Sequence, residues 1–396
     1  MFRAFSFLAF SGSRLFLNLK RAVVLISYFK AICLGNIIKT LVSINMENNI
    51  DITRVYLDEI TKKELIFSNE SNDDVFEVSL AVPSYQRTDL FLRLLRSISS
   101  LKTSLKFEVV ITEDTREEKH IEIIRNFLSG VSFKVRYYKN VERAGLYRNW
   151  NQAILLSTGK YFCLVHTDDV LHPDFLRSYE KPLHQNDKAV IAQRWNYLYL
   201  VKDPNAIDSF LKCKQNFQYL EKRGFSFIFR GFGIPLLGTM IRKDCLSLVG
   251  MFPSDPDYWS TMEDYFFMVK IVLHFPVYQL SSSCYGYVVE DNCMLTCDGW
   301  NDSIVNCYYL RLQMVASMPK ISKFKSYFYV LLAKVKVVIE TYERSRWNKK
   351  FSSSKEKMDK KMIYNRVRLP IVIRLLAPSI IFFHLLHISL RNSKGR

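Results

Sequence analysis

The chain has 396 residues, of which 49% are hydrophobic and 24% are charged, with 13 Gly and 11 Pro. This composition excludes a collagen-like, mucin-like or low-complexity chain and indicates a globular protein. At this length a sizeable core can form, and we expect one main domain with appendages. The eight cysteines are scattered and form no CxxC pair, which indicates reduced, mostly core-filling thiols.

The net charge of +18 is concentrated at the two ends of the chain. Residues 1–45 contain 6 basic and no acidic residues, and residues 343–396 contain 14 basic and 3 acidic ones. In both ends the cations alternate with large apolar side chains. This mixture favours an anionic membrane surface over a nucleic acid as the partner.

Each basic end could span a membrane or lie on it. Lys20, Lys30 and Lys39 interrupt the apolar run of residues 1–45, so a spanning helix there is not favoured. Residues 369–390 have about the right length to cross a bilayer, but Arg374 and several Pro and His residues favour an interfacial position. We therefore predict that residues 301–396 form a helical, basic extension that binds the membrane surface. The alternative is a solvated helix followed by a core helix of a bundle.

Residues 46–75 are acid-rich and predict a linker. From residue 76 onwards, apolar strands alternate with amphipathic helices. The predicted strands begin at Val75, Lys106 and Phe133, and the predicted helices are Leu90–Ser99 and Glu117–Leu128. This alternation predicts a parallel sheet.

A further helix, Arg148–Ser157, precedes a buried strand from Tyr161 that runs into Asp168 and Asp169. Ligands of open parallel sheets bind beyond the carboxyl ends of the strands. Neither the Gly-rich loop of dinucleotide-binding proteins nor a P-loop occurs in the sequence. The candidate ligand contacts therefore follow the strands directly, at Pro83-Ser84-Tyr85, Glu113-Asp114 and Asp168-Asp169.

Two adjacent carboxylates at the end of a buried strand suit a divalent cation, which binds oxygen ligands together with substrate phosphates. Asp is also a favoured helix cap, and Pro173 is well placed in the first turn of a helix beginning near His172. On these residues alone, a metal site at Asp168 and Asp169 and a helix cap are equally supported.

Four segments in this order and spacing resemble glycosyltransferase family 2, over about residues 76–300. The resemblance implies an α/β GT-A fold: a mixed, mostly parallel sheet flanked by helices that binds a nucleotide sugar. It also implies an inverting enzyme, of the type that builds bacterial surface polysaccharide. The segments are VSLAVPSYQRTDLFLRLLRSI, FEVVITEDT, NVERAGLYRNWNQAILLSTGKYFCLVHTDDVLHPDFL and LLGTMIRKDCLSLVGMFPSDPDYWSTMEDYFFMVKIV.

The resemblance also assigns roles to individual residues. By this resemblance Asp264 is the catalytic base with Glu263 beside it, although two acids at a helix N-terminus are the alternative. Asp169 and Asp168 would bind Mg²⁺ or Mn²⁺. No His lies between His274 and His384, where many relatives supply a third metal ligand. The implied nucleotide-sugar contacts are Pro83, Tyr85, Arg87, Asp114, Arg148, Asn149 and Asp168.

The function that the resemblance implies is transfer of a sugar from a nucleoside diphosphate sugar to a saccharide or lipid-linked acceptor. The location that we expect is the cytoplasmic face of the membrane, with peripheral attachment and no nucleic-acid partner. Two alternatives stay open: a nucleotidyltransferase on a similar sheet, and a non-catalytic membrane-bound partner in a polysaccharide assembly complex.

Overall fold

The structure is a computed structural model. It describes residues 54–71, 73–186, 188–200, 203–215, 220–223, 235–253, 263–289, 297–317, 323–351, 360–367, 369 and 371–393. The predicted N-terminal membrane segment, 1–45, lies outside these residues. Within them, no helix combines the length and the apolar character that a membrane-spanning segment requires.

Strands and helices alternate along the first half of the described chain, as predicted. The strands are β1 Lys63–Ser68, β2 Val78–Ser84, β3 Phe107–Glu113, β4 Lys134–Asn140, β5 Tyr161–Leu164, β6 Val170–Leu171, β7 Val190–Ala192, β8 Trp195–Tyr199, β9 Leu220–Arg223, β10 Met240–Arg242, β11 Val277–Leu280 and β12 Tyr285–Val289. The helices are α1 Thr88–Ser99, α2 Glu118–Leu128, α3 Leu146–Leu156, α4 Arg177–Asn186, α5 Ala206–Lys212, α6 Leu246–Val249, α7 Glu263–His274, α8 Cys297–Ala316, α9 Lys323–Phe351, α10 Lys360–Arg366 and α11 Ile371–Ser393.

The main sheet of the described residues has the strand order β1-β4-β3-β2-β5-β10-β7-β11-β9. Its centre, β4-β3-β2-β5, is parallel, whereas β10 pairs antiparallel with both of its neighbours. A second sheet has the order β6-β12-β8. This is the mixed, helix-flanked architecture that the sequence predicts.

The order of the central strands creates a switch point between β2 and β5. From β2 the chain steps outward through α1 to β3 and through α2 to β4, and then returns through α3 to β5 on the other side of β2. Right-handed crossovers place the outgoing and returning helices on opposite faces of the sheet. A crevice therefore opens at the carboxyl ends of β2 and β5, where open α/β sheets bind ligands.

The apolar pattern explains how these elements pack. All seven residues of β2 are buried, as expected for a central parallel strand. Helix α1 buries Phe91, Leu94, Leu95 and Ile98 at helical spacing against the same core. At the turn before β5, a Cβ on Gly159 would lie 2.8 Å from the backbone nitrogen of Ser79, so only glycine permits this close approach.

The segment predicted as a linker, 46–75, contributes a strand to the main sheet. Strand β1 pairs antiparallel with β4, although the folded domain was expected to begin near residue 76. Leu65 of β1 is 54% exposed, so this edge strand lacks the regular apolar alternation that marks a half-buried strand. The division of the chain into four segments stays a prediction.

The helix that we considered near His172 does not form. Residues 170–171 instead make the short strand β6, which pairs with β12, and the next helix begins at Arg177. Asp168 and Asp169 are therefore not caps of a helix starting at Pro173. Four described cysteines, Cys163, Cys245, Cys284 and Cys307, are free and buried, and for Cys284 this agrees with the predicted core-filling role.

Candidate active site

The loop after β2 turns sharply and places the guanidinium of Arg87 near the end of β5. Gln86 and Arg87 are both left-handed, with φ of 59° and 60°, a conformation that is unfavourable for residues other than glycine. This turn brings Nη1 of Arg87 to 3.3 Å from Oδ2 of Asp168, and both side chains are half-exposed. Two predicted site residues, 81 positions apart, thus lie together at the switch point.

The first two predicted contacts of the nucleotide pocket differ in accessibility. Pro83 is buried within β2 and pairs with Thr112 of β3. Tyr85 is 45% exposed, and the guanidinium carbon of Arg143 lies 5.1 Å from the centre of its ring. Tyr85 can therefore offer an aromatic face to a ligand, whereas Pro83 contributes to the shape of the strand end.

Asp114 binds the backbone of the loop before α3. Its Oδ1 accepts hydrogen bonds from the amide of Ala144 (2.7 Å) and from Nδ2 of Asn140 (2.9 Å), and its Oδ2 accepts one from the amide of Gly145 (3.0 Å). The residue is only 5% exposed. These hydrogen bonds make Asp114 a residue that fixes the backbone before α3, and its contact with a nucleotide sugar stays a prediction.

Asn149 connects the ends of the central strands. Its Nδ2 donates to the carbonyls of Ser84 (3.2 Å) and Thr112 (3.0 Å), and its Oδ1 accepts from Asn140 (2.9 Å). The residue is 4% exposed. Like Asp114, it holds the walls of the crevice in place from within the protein.

Arg148 lies apart from the Arg87–Asp168 pair in the described contacts. Its Nε is 3.6 Å from Oδ1 of Asp58, and its side chain is 43% exposed. Asp58 in turn accepts a hydrogen bond from Asn151 at 2.8 Å. A contact between Arg148 and a diphosphate stays a prediction.

Asp169 is part of the buried junction between the two sheets. Its Oδ2 accepts a hydrogen bond from the hydroxyl of Tyr285 (2.6 Å), and its Oδ1 accepts one from the amide of Val288 in β12 (3.0 Å). Burial raises the pKa of Asp169 well above its usual range, and the neighbouring charge of Asp168 acts in the same direction. A nearby cation would favour the charged form of this carboxyl.

His166, Asp168 and Asp169 form a possible cation site. One ligand atom of each lies within 4.8 Å of the others. Burial lowers the pKa of His166, which keeps its ring neutral and able to bind a metal, and its buried Nε2 has no hydrogen-bond partner in the described part of the chain. An unsatisfied imidazole nitrogen in one cluster with two carboxylates fits a divalent cation, which His166, Asp168 and Asp169 would hold.

The sequence reasoning did not include His166, although the HTDD run contained the signal. A histidine two residues before paired aspartates, at the end of a buried strand, lies on the same rim as the aspartates.

Asp264 lies in a different cluster. It is in the first turn of α7, which begins at Glu263, and its Oδ1 accepts a hydrogen bond from the amide of Tyr265 at 2.7 Å. Burial raises the pKa of Asp264, while the charge of Arg344 in α9 opposes this rise. Between the described residues, no hydrogen bond or ion pair joins Asp264 to Asp168 or Asp169.

An aromatic pair joins β12 to β8 next to the contact that holds Asp169. Val288, which binds Asp169, follows Tyr287, whose ring lies 5.5 Å from that of Tyr197.

Comparisons with known proteins agree with this geometry. Residues 79–234, less than half of the chain, match the sequence model of glycosyl transferase family 2. An uncharacterized glycosyltransferase of Methanocaldococcus jannaschii, MJ1057, is 24% identical over 150 residues, which are 37% of this chain and 51% of that protein. The chain thus spans about half the length of this curated relative.

Solved structures resemble the chain in fold. Residues 1–349 of TarS from S. aureus superpose with a TM-score of 0.51 and 13% identity, covering 81% of this chain and 92% of that chain. The same fragment in complex with UDP-GlcNAc has a TM-score of 0.52 and 14% identity over the same shares. These similarities show that the fold is of the GT-A type.

The family match includes every residue predicted to bind the nucleotide sugar or the cation, and it ends before Asp264. Residues 79–234 are therefore similar to a glycosyltransferase family 2 domain.

Proposed function

We propose that this chain is an inverting glycosyltransferase that moves a sugar from a nucleoside diphosphate sugar to a saccharide or lipid-linked acceptor. One observation carries the proposal: a region similar to family 2 has a half-exposed aspartate, Asp168, at the switch point of its sheet. Asp168 pairs with Arg87 and clusters with His166, whose buried Nε2 has no hydrogen-bond partner among the described residues. A guanidinium and a cation site at this position suit a diphosphate.

The donor would bind across the carboxyl ends of β2, β3 and β5. Tyr85 offers a face for the base, and Arg87 can donate two parallel hydrogen bonds to diphosphate oxygens. His166, Asp168 and Asp169 would hold Mg²⁺ or Mn²⁺, which would supply positive charge to the leaving diphosphate. Asp114 and Asn149 keep the pocket in shape through their hydrogen bonds to backbone groups.

Asp264 is the proposed general base. In a single in-line displacement its carboxylate takes the proton of the acceptor hydroxyl, the acceptor oxygen bonds to the anomeric carbon, and the bond from that carbon to the diphosphate breaks. The nucleoside diphosphate leaves, and the anomeric centre inverts. The raised pKa of Asp264 makes it a stronger base than an exposed aspartate, which favours proton removal near neutral pH.

A product assay tests this proposal. The full chain is incubated with UDP-, GDP- and dTDP-sugars and Mn²⁺ or Mg²⁺, beginning with UDP-GlcNAc because TarS 1–349 was solved with it. We expect release of the nucleoside diphosphate and an anomeric configuration in the product opposite to that of the donor. Release of pyrophosphate would indicate a nucleotidyltransferase. Failure of every donor to bind or react would support a non-catalytic partner.

Asp264→Asn tests the base. We expect kcat to fall by about 10²- to 10⁴-fold while donor affinity is unchanged, because the amide cannot accept the proton. Asp244→Asn, an exposed acid near the amino end of β5, is the matched control. Full turnover in the Asp264 variant would exclude its role as the base.

We also propose that the enzyme acts at the cytoplasmic face of the membrane, where the acceptor of a bacterial surface polysaccharide would be available. Helix α11 supports this because Ile371, Leu375 and Phe382 are 71%, 75% and 61% exposed at helical spacing, whereas Ile373 is buried. Residues 360–396 contain 8 basic residues and no acid. An exposed apolar stripe on a basic helical segment suits the interface of an anionic bilayer.

Vesicle binding tests the attachment. Wild-type protein should sediment with vesicles of phosphatidylglycerol and phosphatidylcholine but not with pure phosphatidylcholine. The double variant Leu375→Asp, Phe382→Asp should bind at least about tenfold more weakly, because it removes two apolar contacts. Leu248→Asp, on the short helix α6, is the control. Unchanged vesicle binding, or a change in oligomeric state instead, would contradict a membrane role for the stripe.

A further inference from the structure

A buried ion pair joins the two long helices that follow the family 2 domain. Arg311 of α8 donates two hydrogen bonds to Glu340 of α9, from Nη1 to Oε2 at 2.9 Å and from Nη2 to Oε1 at 2.5 Å. Both side chains are fully buried. The bidentate geometry fixes the register of α8 against α9.

Stability alone does not account for this pair. Burying two charges carries a large desolvation penalty, and well-packed apolar residues in their place are often at least as stable. A pair of this kind can instead specify one arrangement of its neighbours. Its remaining contacts show which neighbours those are.

The third donor of Arg311 reaches the helix of the proposed base. Nε of Arg311 donates to the hydroxyl of Tyr265 at 3.2 Å, and the guanidinium carbon lies 5.6 Å from the centre of the Tyr265 ring. Tyr265 directly follows Asp264 in the first turn of α7 and is 5% exposed. The ion pair therefore binds α7 one residue away from the carboxylate proposed to act as the base.

The same helix supplies a positive charge that acts on Asp264. Arg344 lies one turn after Glu340 in α9, and its positive charge lowers the pKa values of both Asp264 and Glu340. Helices α8 and α9 thus provide both the hydrogen bond that holds Tyr265 and a countercharge for Asp264. Lysine could not replace Arg311, because an ammonium lacks the planar fork that binds Glu340 and Tyr265 together.

We propose that Arg311, Glu340 and Tyr265 are positioning residues that hold Asp264 in its reactive orientation. This inference rests on the proposed function, because it assigns the base role to Asp264. It makes α8 and α9 part of the catalytic unit, in addition to any role of the C-terminal region at the membrane.

Tyr265→Phe is the smallest test. It keeps the ring and removes the hydroxyl that accepts from Arg311. We expect kcat to fall on the order of tenfold to a hundredfold with the KM for donor unchanged, because a small displacement of a catalytic group slows the chemical step. Tyr342→Phe, on α9, is the control for the same chemical change. Equal kcat values in the two variants and wild type would overturn the proposal.

A double replacement separates positioning from stability. Arg311→Met with Glu340→Leu should unfold at or above the wild-type temperature, since it removes two buried charges together. We expect its kcat to remain as low as that of Tyr265→Phe. Recovery of both stability and kcat would show that the pair only supports the fold. Loss of stability would contradict the premise that apolar residues can replace the pair.

Hydrogen exchange tests the contact without activity. In Tyr265→Phe, the amides of the first turn of α7 should exchange about fivefold faster than in wild type, as expected from one lost hydrogen bond, and those of α1 should be unchanged. If wild type transfers no sugar, the proposed function fails, and this measurement still decides whether the pair holds α7. Unchanged exchange would overturn the positioning role.

Discussion

The two ends of the central strands hold their acids in opposite ways. At the amino ends, Glu108 accepts hydrogen bonds from Ser79 (2.6 Å) and from the amide (2.6 Å) and hydroxyl (2.7 Å) of Thr158, and it also pairs with Arg136. At the carboxyl ends, Asp168 and Asp169 lie beside the unsatisfied nitrogen of His166. The first arrangement surrounds its acid with hydrogen-bond donors, whereas the second leaves Nε2 of His166 without a hydrogen-bond partner among the described residues.

The pKa values of the buried acids at the two strand ends also shift in opposite directions. Burial alone would raise the pKa of Glu108, but its hydrogen bonds from Ser79 and Arg136 bring it below the ordinary value. Burial and the charge of Asp168 raise the pKa of Asp169. Burial of an acid by itself therefore does not mark a functional site. An acid whose charge the protein leaves poorly compensated is the stronger indication.

The largest effect should come from Asp168→Asn. We expect kcat/KM to fall by at least about a hundredfold, because the variant weakens the cation site and the Arg87 pair together. The Mn²⁺-dependent rise in melting temperature with donor should also disappear. Asp244→Asn is the control. If the Asp168 variant responded to Mn²⁺ like wild type, the proposed cation site at the carboxyl ends of the strands would be wrong.

Glu108→Gln should act on stability instead. The amide cannot neutralise Arg136, so we expect the free energy of unfolding to fall by about 3 kcal/mol. The Mn²⁺ response per folded molecule should stay that of wild type. Urea denaturation measures the change, and Glu118→Gln, an exposed partner of Lys139, should have little effect. A stable Glu108 variant would show that the amino-end network is not a structural one.

Tyr285→Phe should have a smaller effect, and it should change both the stability of the protein and its response to Mn²⁺. Removing the hydroxyl that donates to Asp169 should lower the free energy of unfolding by about 1–2 kcal/mol. Added Mn²⁺ should recover part of this loss, because a cation would compensate the buried charge. Thermal denaturation with and without Mn²⁺, compared with Tyr278→Phe in β11, checks both expectations. Equal losses in the two variants would contradict the role of Tyr285.

The smallest predicted effect is a pH dependence at the amino end. Burial raises the pKa of Glu70, near Arg136, from 4.5 to about 7. A raised folded-state pKa contributes stability below pH 4.5 that is lost as the pH rises through about 7. Across this range wild type should therefore lose stability relative to Glu70→Gln. Denaturation at several pH values tests this, with Glu64→Gln as the control, and parallel pH profiles would contradict it.

Local patterns predicted the centre of the fold well. The strands and helices from β2 to β5 form as expected, because each has its own apolar periodicity. Strand β1 was missed, since its pairing with β4 depends on residues about 70 positions away and its own pattern is irregular. The segment's acids also indicated a loop, whereas an edge strand tolerates charged side chains.

The candidate site was predictable only where local patterns along the chain place its residues. Residues at the ends of parallel strands share one edge, so Arg87 and Asp168 could be placed together from the sequence. The partner of Asp169 is Tyr285, 116 residues later in a second sheet, and no local pattern indicates that contact. The Arg311–Glu340 pair is hidden similarly, because charged residues inside long basic helices are usually solvated.

The pair between Arg87 and Asp168 has a consequence for the order of binding. A diphosphate gives Arg87 new oxygen partners, while a cation gives Asp168 a new positive neighbour. A diphosphate that binds Arg87 leaves Asp168 without its positive partner, and a cation that binds Asp168 leaves Arg87 without its negative partner. Each ligand therefore binds more favourably when the other ligand is also present. Donor and cation should therefore enter as one unit, each increasing the affinity of the protein for the other.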